Sequence, residues 1–162
     1  MKKNKYDLQM KNLRFRYINN RRIQNTETDV AEFEKKIGFR LPSDYKEFVL
    51  DYGRCSSHGR IGYVHPGDVK KEGVSLESFY GLNSDDSFDL ILSKEAYDDV
   101  LPSHLLPFAG GAGGEYLIGL AREEVGKVFW WPPTGGFNSI EQDFIFLAPD
   151  FDTFMGRLVC ED

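Results

Sequence analysis

The stretch "TDVAEFEKKIGFRLPSDYKEFVLDYG", residues 28–53, restricts the fold more than any other part of this 162-residue chain. Val30, Phe33 and Ile37 recur at i, i+3 and i+7, the spacing of one helical face. Thr28 stands where a side-chain oxygen would cap that helix. Gly38 follows as a natural stop, since glycine enters the left-handed region without a Cβ penalty. Pro42 then suits the first turn of a second helix, where its missing N–H would have no partner anyway. Leu41, Tyr45, Phe48, Val49 and Tyr52 form that helix's inward stripe, and Gly53 ends it. The expectation is two short helices joined by a tight turn, with Glu34, Lys35, Lys46, Glu47 and Asp51 outside.

On either side of this pair the texture differs. In residues 6–22, Tyr6, Met10, Leu13 and Tyr17 fit a helical face, while Leu13, Phe15 and Tyr17 alternate as a strand would. Both readings stay open, with helix as the working expectation. After Gly53, "RIGYV" and "VSLESFYGL" look like strands, the second carrying Val74, Leu76, Tyr80 and Leu82. "SDDSFDLILSKEAYDDVLP" supports a helix through Phe88, Leu92, Ala96 and Val100, ended by Pro102. "LLPFA", "EYLIGLA", "KVFWW" and "FIFLA" are short apolar strands, and "PDFDTFMGRLV" closes as a helix with Asp150 as cap and Phe151, Phe154 and Leu158 inward. Helices at both ends of a mostly antiparallel sheet make an α+β fold, with no repeat and no internal linker.

Charge is unevenly spread. The net charge is -6, yet residues 1–24 carry eight Lys and Arg against one Asp, a balance of +7. The rest holds 12 basic and 25 acidic residues, a balance of -13. The chain thus divides into a basic segment, 1–25, and a domain, 26–160. An acidic body repels nucleic-acid phosphate and favours basic partners, so no direct nucleic-acid contact is expected. No apolar run approaches the roughly 20 residues of a membrane helix. The start "MKKNKYDLQMKN" is basic with no apolar stretch after it, so no secretory signal is expected. Cys55 and Cys160 follow neither paired nor metal-type spacing, which suits a reducing cytoplasm.

Four features invite a functional reading. "FAGGAGGEYLIGL" has the glycines of a phosphate loop, but Glu115 and Tyr116 stand where Lys and Ser or Thr belong, and a strand follows rather than a helix. It reads as a tight or bulged connection between two buried strands. "CSSHGRIGYVH" offers Cys55, Ser57, His58 and His65, yet nothing sets up a third orienting group, and His58, His65 and His104 lack the i, i+4 pairing that loads a metal on a helix. An ordinary polar loop is expected there, with no catalysis, cofactor or metal. Acidic clusters fall at Asp85, Asp86 and Asp89, at Asp98 and Asp99, and at Glu123 and Glu124. Asp85 and Asp86 sit at a helix start, where the dipole favours acids, whereas Asp98 and Asp99 lie near its end, where it does not. Lastly, Trp130 and Trp131 are adjacent on a strand and face opposite ways, so one can be core and the other a binding anchor.

Taken in order, "VAEFEKKIG", "FRLPSDYKEFVLDYG", "LLPFAGGAGGEYLIGL", "GKVFWW" and "DFDTFMGRL" resemble the SMI1/KNR4 family of the SUKH superfamily over about residues 28–158. The match departs beside the paired glycines, where Gly110, Gly111 and Ala112 stand, and after the hairpin tryptophan, where "PPTGG" follows. The resemblance implies a non-catalytic α+β domain. Bacterial members are mostly immunity proteins that bind a cognate toxin, often a nuclease, and fungal ones are regulators of cell-wall synthesis that act through protein contacts. It therefore implies a cytoplasmic immunity protein with a basic toxin, such as a nuclease, as partner, or else a regulatory interaction module. Asp85, Asp86, Asp98, Asp99, Glu123, Glu124 and Trp131 are the expected partner-binding residues.

Overall fold

A computed structural model describes residues 3–65, 69–84, 86–96, 105–111, 117–121, 126–131 and 145–161. In chain order these give α1 (Asp7–Asn12), β1 (Phe15–Tyr17), a 3-10 turn (Ile18–Asn20), α2 (Glu27–Ile37), α3 (Ser43–Asp51), β2 (Cys55–His65) and β3 (Val69–Phe79). Then follow α4 (Leu90–Ala96), β4 (Leu105–Gly110), β5 (Leu117–Ala121), β6 (Val128–Trp131), β7 (Ile145–Ala148), α5 (Phe151–Gly156) and β8 (Leu158–Cys160). The fold is α+β, built on one antiparallel sheet of eight strands among the described residues.

The helical pair forms as its spacing predicts, with one shift. The cap of α2 is Thr26, not Thr28: its hydroxyl accepts from Asp29 N–H at 3.2 Å, and the Asp29 carboxylate accepts from Thr26 N–H at 2.7 Å. Thr28 lacks this reciprocal arrangement because Ala31, three residues on, has no side chain to return the bond. Gly38 takes the left-handed conformation at φ 82° and ends α2. Of the side chains expected outside, Lys35 is exposed, but Glu34, Lys46, Glu47 and Asp51 are half-buried, and the Glu34 carboxylate accepts from Leu41 N–H at 2.7 Å and fixes the turn into α3.

Residues 6–22 satisfy both patterns in succession. Tyr6, Met10 and Leu13 are buried by α1 and its end, so the basic segment packs into the core. Arg14 then enters the left-handed region, and Phe15–Tyr17 pair with β2 instead of extending the helix. The strand expected at "RIGYV" is present and begins earlier, at Cys55, so "CSSHG" is strand and not the polar loop expected: Cys55, Ile61 and Tyr63 are buried while His58 and Arg60 are exposed. Three neighbours supply its ladder bonds. β3 lies along one edge, while β1 at Cys55–Ser57 and β8 at Ile61–Tyr63 share the other. β8 itself replaces the end of the expected terminal helix, which stops at Gly156 although Asp150 caps it as expected.

The sheet runs β1-β2-β3-β4-β5-β6-β7. Tyr63 on β2 nonetheless donates a hydrogen bond to the Leu147 carbonyl on β7. Five strand spacings of about 4.8 Å would put them roughly 24 Å apart on a flat sheet, far beyond one side chain. The sheet is therefore curled, and Phe48 of α3 and Phe151 and Phe154 of α5 pack with Phe79 and Phe108 of the sheet. The glycine-rich connection joins β4 to β5, which pair from Gly110↔Leu117 to Leu105↔Ala121 with an irregularity between Pro107 and Ala109. Residues 112–116 of the glycine run, expected to make a tight or bulged turn, lie outside the described residues.

Two substitutions test this packing. A Cβ on Gly81 would lie 2.8 Å from Gly53 Cα and 2.9 Å from Arg54 N, so Gly81→Ala should cost about 1–3 kcal/mol, read from the urea midpoint. The Tyr45 hydroxyl is buried with no hydrogen-bond partner among the described residues. An unsatisfied buried hydroxyl costs about 1–3 kcal/mol, so Tyr45→Phe should leave the midpoint unchanged or raise it.

Candidate docking cleft

In β-sheets, directly opposed residues share a face. One cross-strand row, Tyr17–Cys55–Phe79–Ala109, faces the core, and its neighbour, Arg16–Ser56–Ser78–Gly110, lies on the opposite face. The second row contributes small and polar side chains, so the sheet surface there is low. Two adjoining hollows of about 440 and 500 Å³ open over it and share Glu77, Ser78 and Phe88. The turn Ile18–Asn20 lines the first, and Leu92, Ser93 and Ala96 of α4 line the second.

Both walls are held by short-range polar chemistry. Arg54, only 6% exposed, donates from Nε to Asp86 Oδ2 at 2.7 Å and from Nη1 to the Ile18 carbonyl at 2.5 Å. Its own carbonyl accepts from Ile18 N–H at 3.0 Å. The other Asp86 oxygen accepts from the Ser84 hydroxyl and from Phe88 N–H. Asp89 accepts from Ser84 N–H and Leu92 N–H, and so starts α4. The backbone is strained at these corners: Asn19, Asn20, Arg54 and Asn83 have φ of 58°, 57°, 52° and 57°. Asparagine tolerates this region, but Arg54 stays there because its surroundings over-determine it.

These contacts move the start of α4. It begins at Leu90 rather than at Asp85 and Asp86, because Asp86 is bound into the turn before it. The helix is rotated from the expected face: Leu90 and Ser93 are buried, the Ser93 hydroxyl donates to the Pro107 carbonyl, and Leu92 is 48% exposed into the cleft. Leu92 and Ala96 are thus cleft residues, not core.

Of the residues expected to bind a partner, Asp86 belongs to the turn that carries Phe88, one of the cleft's shared lining residues. Trp131 ends β6, paired with Leu117, while the adjacent Trp130 is buried. Asp85, Asp98, Asp99, Glu123 and Glu124 lie outside the described residues. The cleft itself was not read from the sequence. Its turn residues Asn19 and Asn20, a pair well suited to left-handed backbone, were the available signal.

The Cys55–His58 pairing fails on geometry. Cys55 is buried, its thiol pushed up to about 12 by burial, and His58 faces out on the same strand. A thiol kept protonated is a poor nucleophile. Among the described residues, no group of three His, Cys, Asp or Glu is placed to hold a metal ion, and no helix is long and apolar enough to cross a membrane.

Burial pushes the Asp86 carboxyl up, but the bonds from Ser84, Arg54 and Phe88 outweigh it and hold it below the usual carboxylate range. A depressed carboxyl stabilises fully above its unfolded value of about 3.9, and that contribution fades as pH falls through the lower folded value. Asp86→Asn should therefore cost about 1.5–3 kcal/mol at pH 7. The gap between variant and native protein, measured by denaturant titration, should narrow below about pH 4.

Residues 24–157 match the model of the SMI1 / KNR4 family (SUKH-1). The chain is also 31% identical over 151 residues to the SPbeta prophage-derived uncharacterized protein YokK of Bacillus subtilis (strain 168), covering 85% of this chain and 76% of that relative.

Proposed function

This chain belongs to the SMI1/KNR4 (SUKH-1) family, and from that premise we propose that it is a cytoplasmic immunity protein that binds and neutralises a cognate toxin. The observation that carries this reading is the open cleft on the outer sheet face. Tyr17, Tyr80 and Phe88 line it among serines, asparagines, Arg16 and Glu77, and aromatic side chains are the ones that concentrate interface energy. It performs no bond chemistry of its own in this reading, and the work is done by occlusion.

Charge supports the same reading. A nuclease has to be basic to hold phosphate, and the chain, basic opening segment included, carries 26 acidic against 20 basic side chains, a net charge of -6. Such complementarity speeds encounter and selects partners, while a few buried anchors supply affinity. A prophage-derived relative fits a protein inherited beside the toxin that it blocks. Phe88 and Leu92 are the anchors of the cleft in this proposal, with Asp85, Asp98, Asp99, Glu123 and Glu124 as steering charges, Trp131 as a further contact, and Asp86, paired with Arg54, shaping the wall that a partner meets. The wider family also includes regulators that work through protein contacts, and nothing in the cleft favours that role over immunity.

The test is co-expression with the toxic domain encoded nearest this gene, scored for survival and for a stable complex. Leu92→Asp should abolish rescue while changing the stability read from urea unfolding by no more than about 0.5 kcal/mol, since Leu92 is about half exposed. Asp98→Lys with Asp99→Lys should slow association several-fold at low salt and flatten its salt dependence. Full rescue by Leu92→Asp would remove the cleft from the interface. Unchanged kinetics in the double reversal would remove the acidic face.

A further inference from the structure

We infer that Arg54 makes the two walls of the cleft a single mechanical unit, so that loosening one wall loosens the other. The walls come from distant parts of the sequence: Ile18–Asn20 follows β1, and Asp86–Phe88 precedes α4. One buried side chain joins them. Its Nε holds Asp86 at 2.7 Å, and its Nη1 holds the Ile18 carbonyl at 2.5 Å. The Arg54 main chain also accepts from Ile18 N–H at 3.0 Å.

Three features make this a coupling rather than two independent bonds. The guanidinium is planar and rigid, so withdrawing Asp86 lets the whole fork turn and misaligns the bond to Ile18. Arg54 is 6% exposed, so water cannot readily replace either acceptor, and a guanidinium released from one side must move to find solvation. Its backbone is held at φ 52°, a conformation an arginine keeps only while its contacts persist. Asp86 in turn fixes Ser84 and Phe88, so the unit reaches the aromatic ring shared by both hollows. The consequence is a cleft pre-shaped before any partner arrives, in which contact at the Phe88 wall is felt at the Asn19–Asn20 wall. This holds whichever partner fills the cleft, and its test needs none.

The experiment is amide hydrogen exchange on the full-length purified protein, native and variant, at one pH and temperature. Asp86→Asn removes the charge from the pair without touching the Ile18 wall. The expected result is exchange at least tenfold faster at Ile18 and Arg21, whose N–H groups bond to Arg54 and Ile18 carbonyls, with α2 and α3 unchanged. Ser84→Ala is the gentler variant, loosening Asp86 alone, and should give the same pattern in smaller measure. Arg54→Lys keeps the charge but loses the fork, and should accelerate both walls together. Faster exchange confined to residues 84–92 in these variants, with Ile18 and Arg21 at native rates, would overturn the inference. If Asp86→Asn instead raises exchange everywhere, Ser84→Ala decides, since it leaves the ion pair in place.

Discussion

The fold depends on the burial of one ring. Phe48 is fully buried, and its centroid lies 5.5 Å from Tyr6, 4.8 Å from Phe79, 5.0 Å from Phe151 and 5.6 Å from Tyr52. Those rings come from the start of α1, from β3, from α5 and from the end of α3 itself. Each edge-on or tilted pair adds roughly 0.5–1.5 kcal/mol beyond area burial. The larger effect is geometric: a curled sheet needs a filler of fixed shape, and interlocking aromatic rings supply it. Every surface feature, the cleft included, is placed relative to this cluster.

What the sequence made legible follows from where local and global demands agree. Val30, Phe33, Tyr45, Phe48 and Val49 obey helical spacing because both helices rest one side on the cluster, and all are buried as their pattern requires. The apolar strands β4 to β7 were equally readable, since short runs of that kind have nowhere to go but a sheet. Failures came where a partner distant in sequence decided the outcome. "RIGYV" was legible as a strand, but "CSSHG" before it looks polar, and its strand character rests on β3 and on Phe15–Tyr17 some forty residues earlier. Leu92 is apolar at a helical position, yet the Ser93 bond to Pro107 turns the helix so that leucine faces out.

The candidate cleft was invisible for a related reason. Its surface is assembled from β1, β2, β3, β4 and α4, and no one of them carries a recognisable motif. Asp86 stood out as one of several surface acids, but its carboxylate is engaged by a buried arginine thirty-two residues away. Counting charges along a chain shows which kinds of partner a body repels or attracts. It does not show which carboxylates are already spoken for.

One feature reaches back to how the molecule is made. Lys5 and Tyr6 bond to Asp152, Tyr6 packs on Phe151, and β8 completes the outer edge of β2. The opening residues leave the ribosome well before the partners that bury them. Until α5 and β8 emerge, Tyr6, Phe48 and half an edge of β2 stand open to water, so assembly has to wait for translation to pass them. A nascent chain of this design is vulnerable to proteases and to sticking until residues 151–160 arrive, and a stop before them would forfeit the whole body.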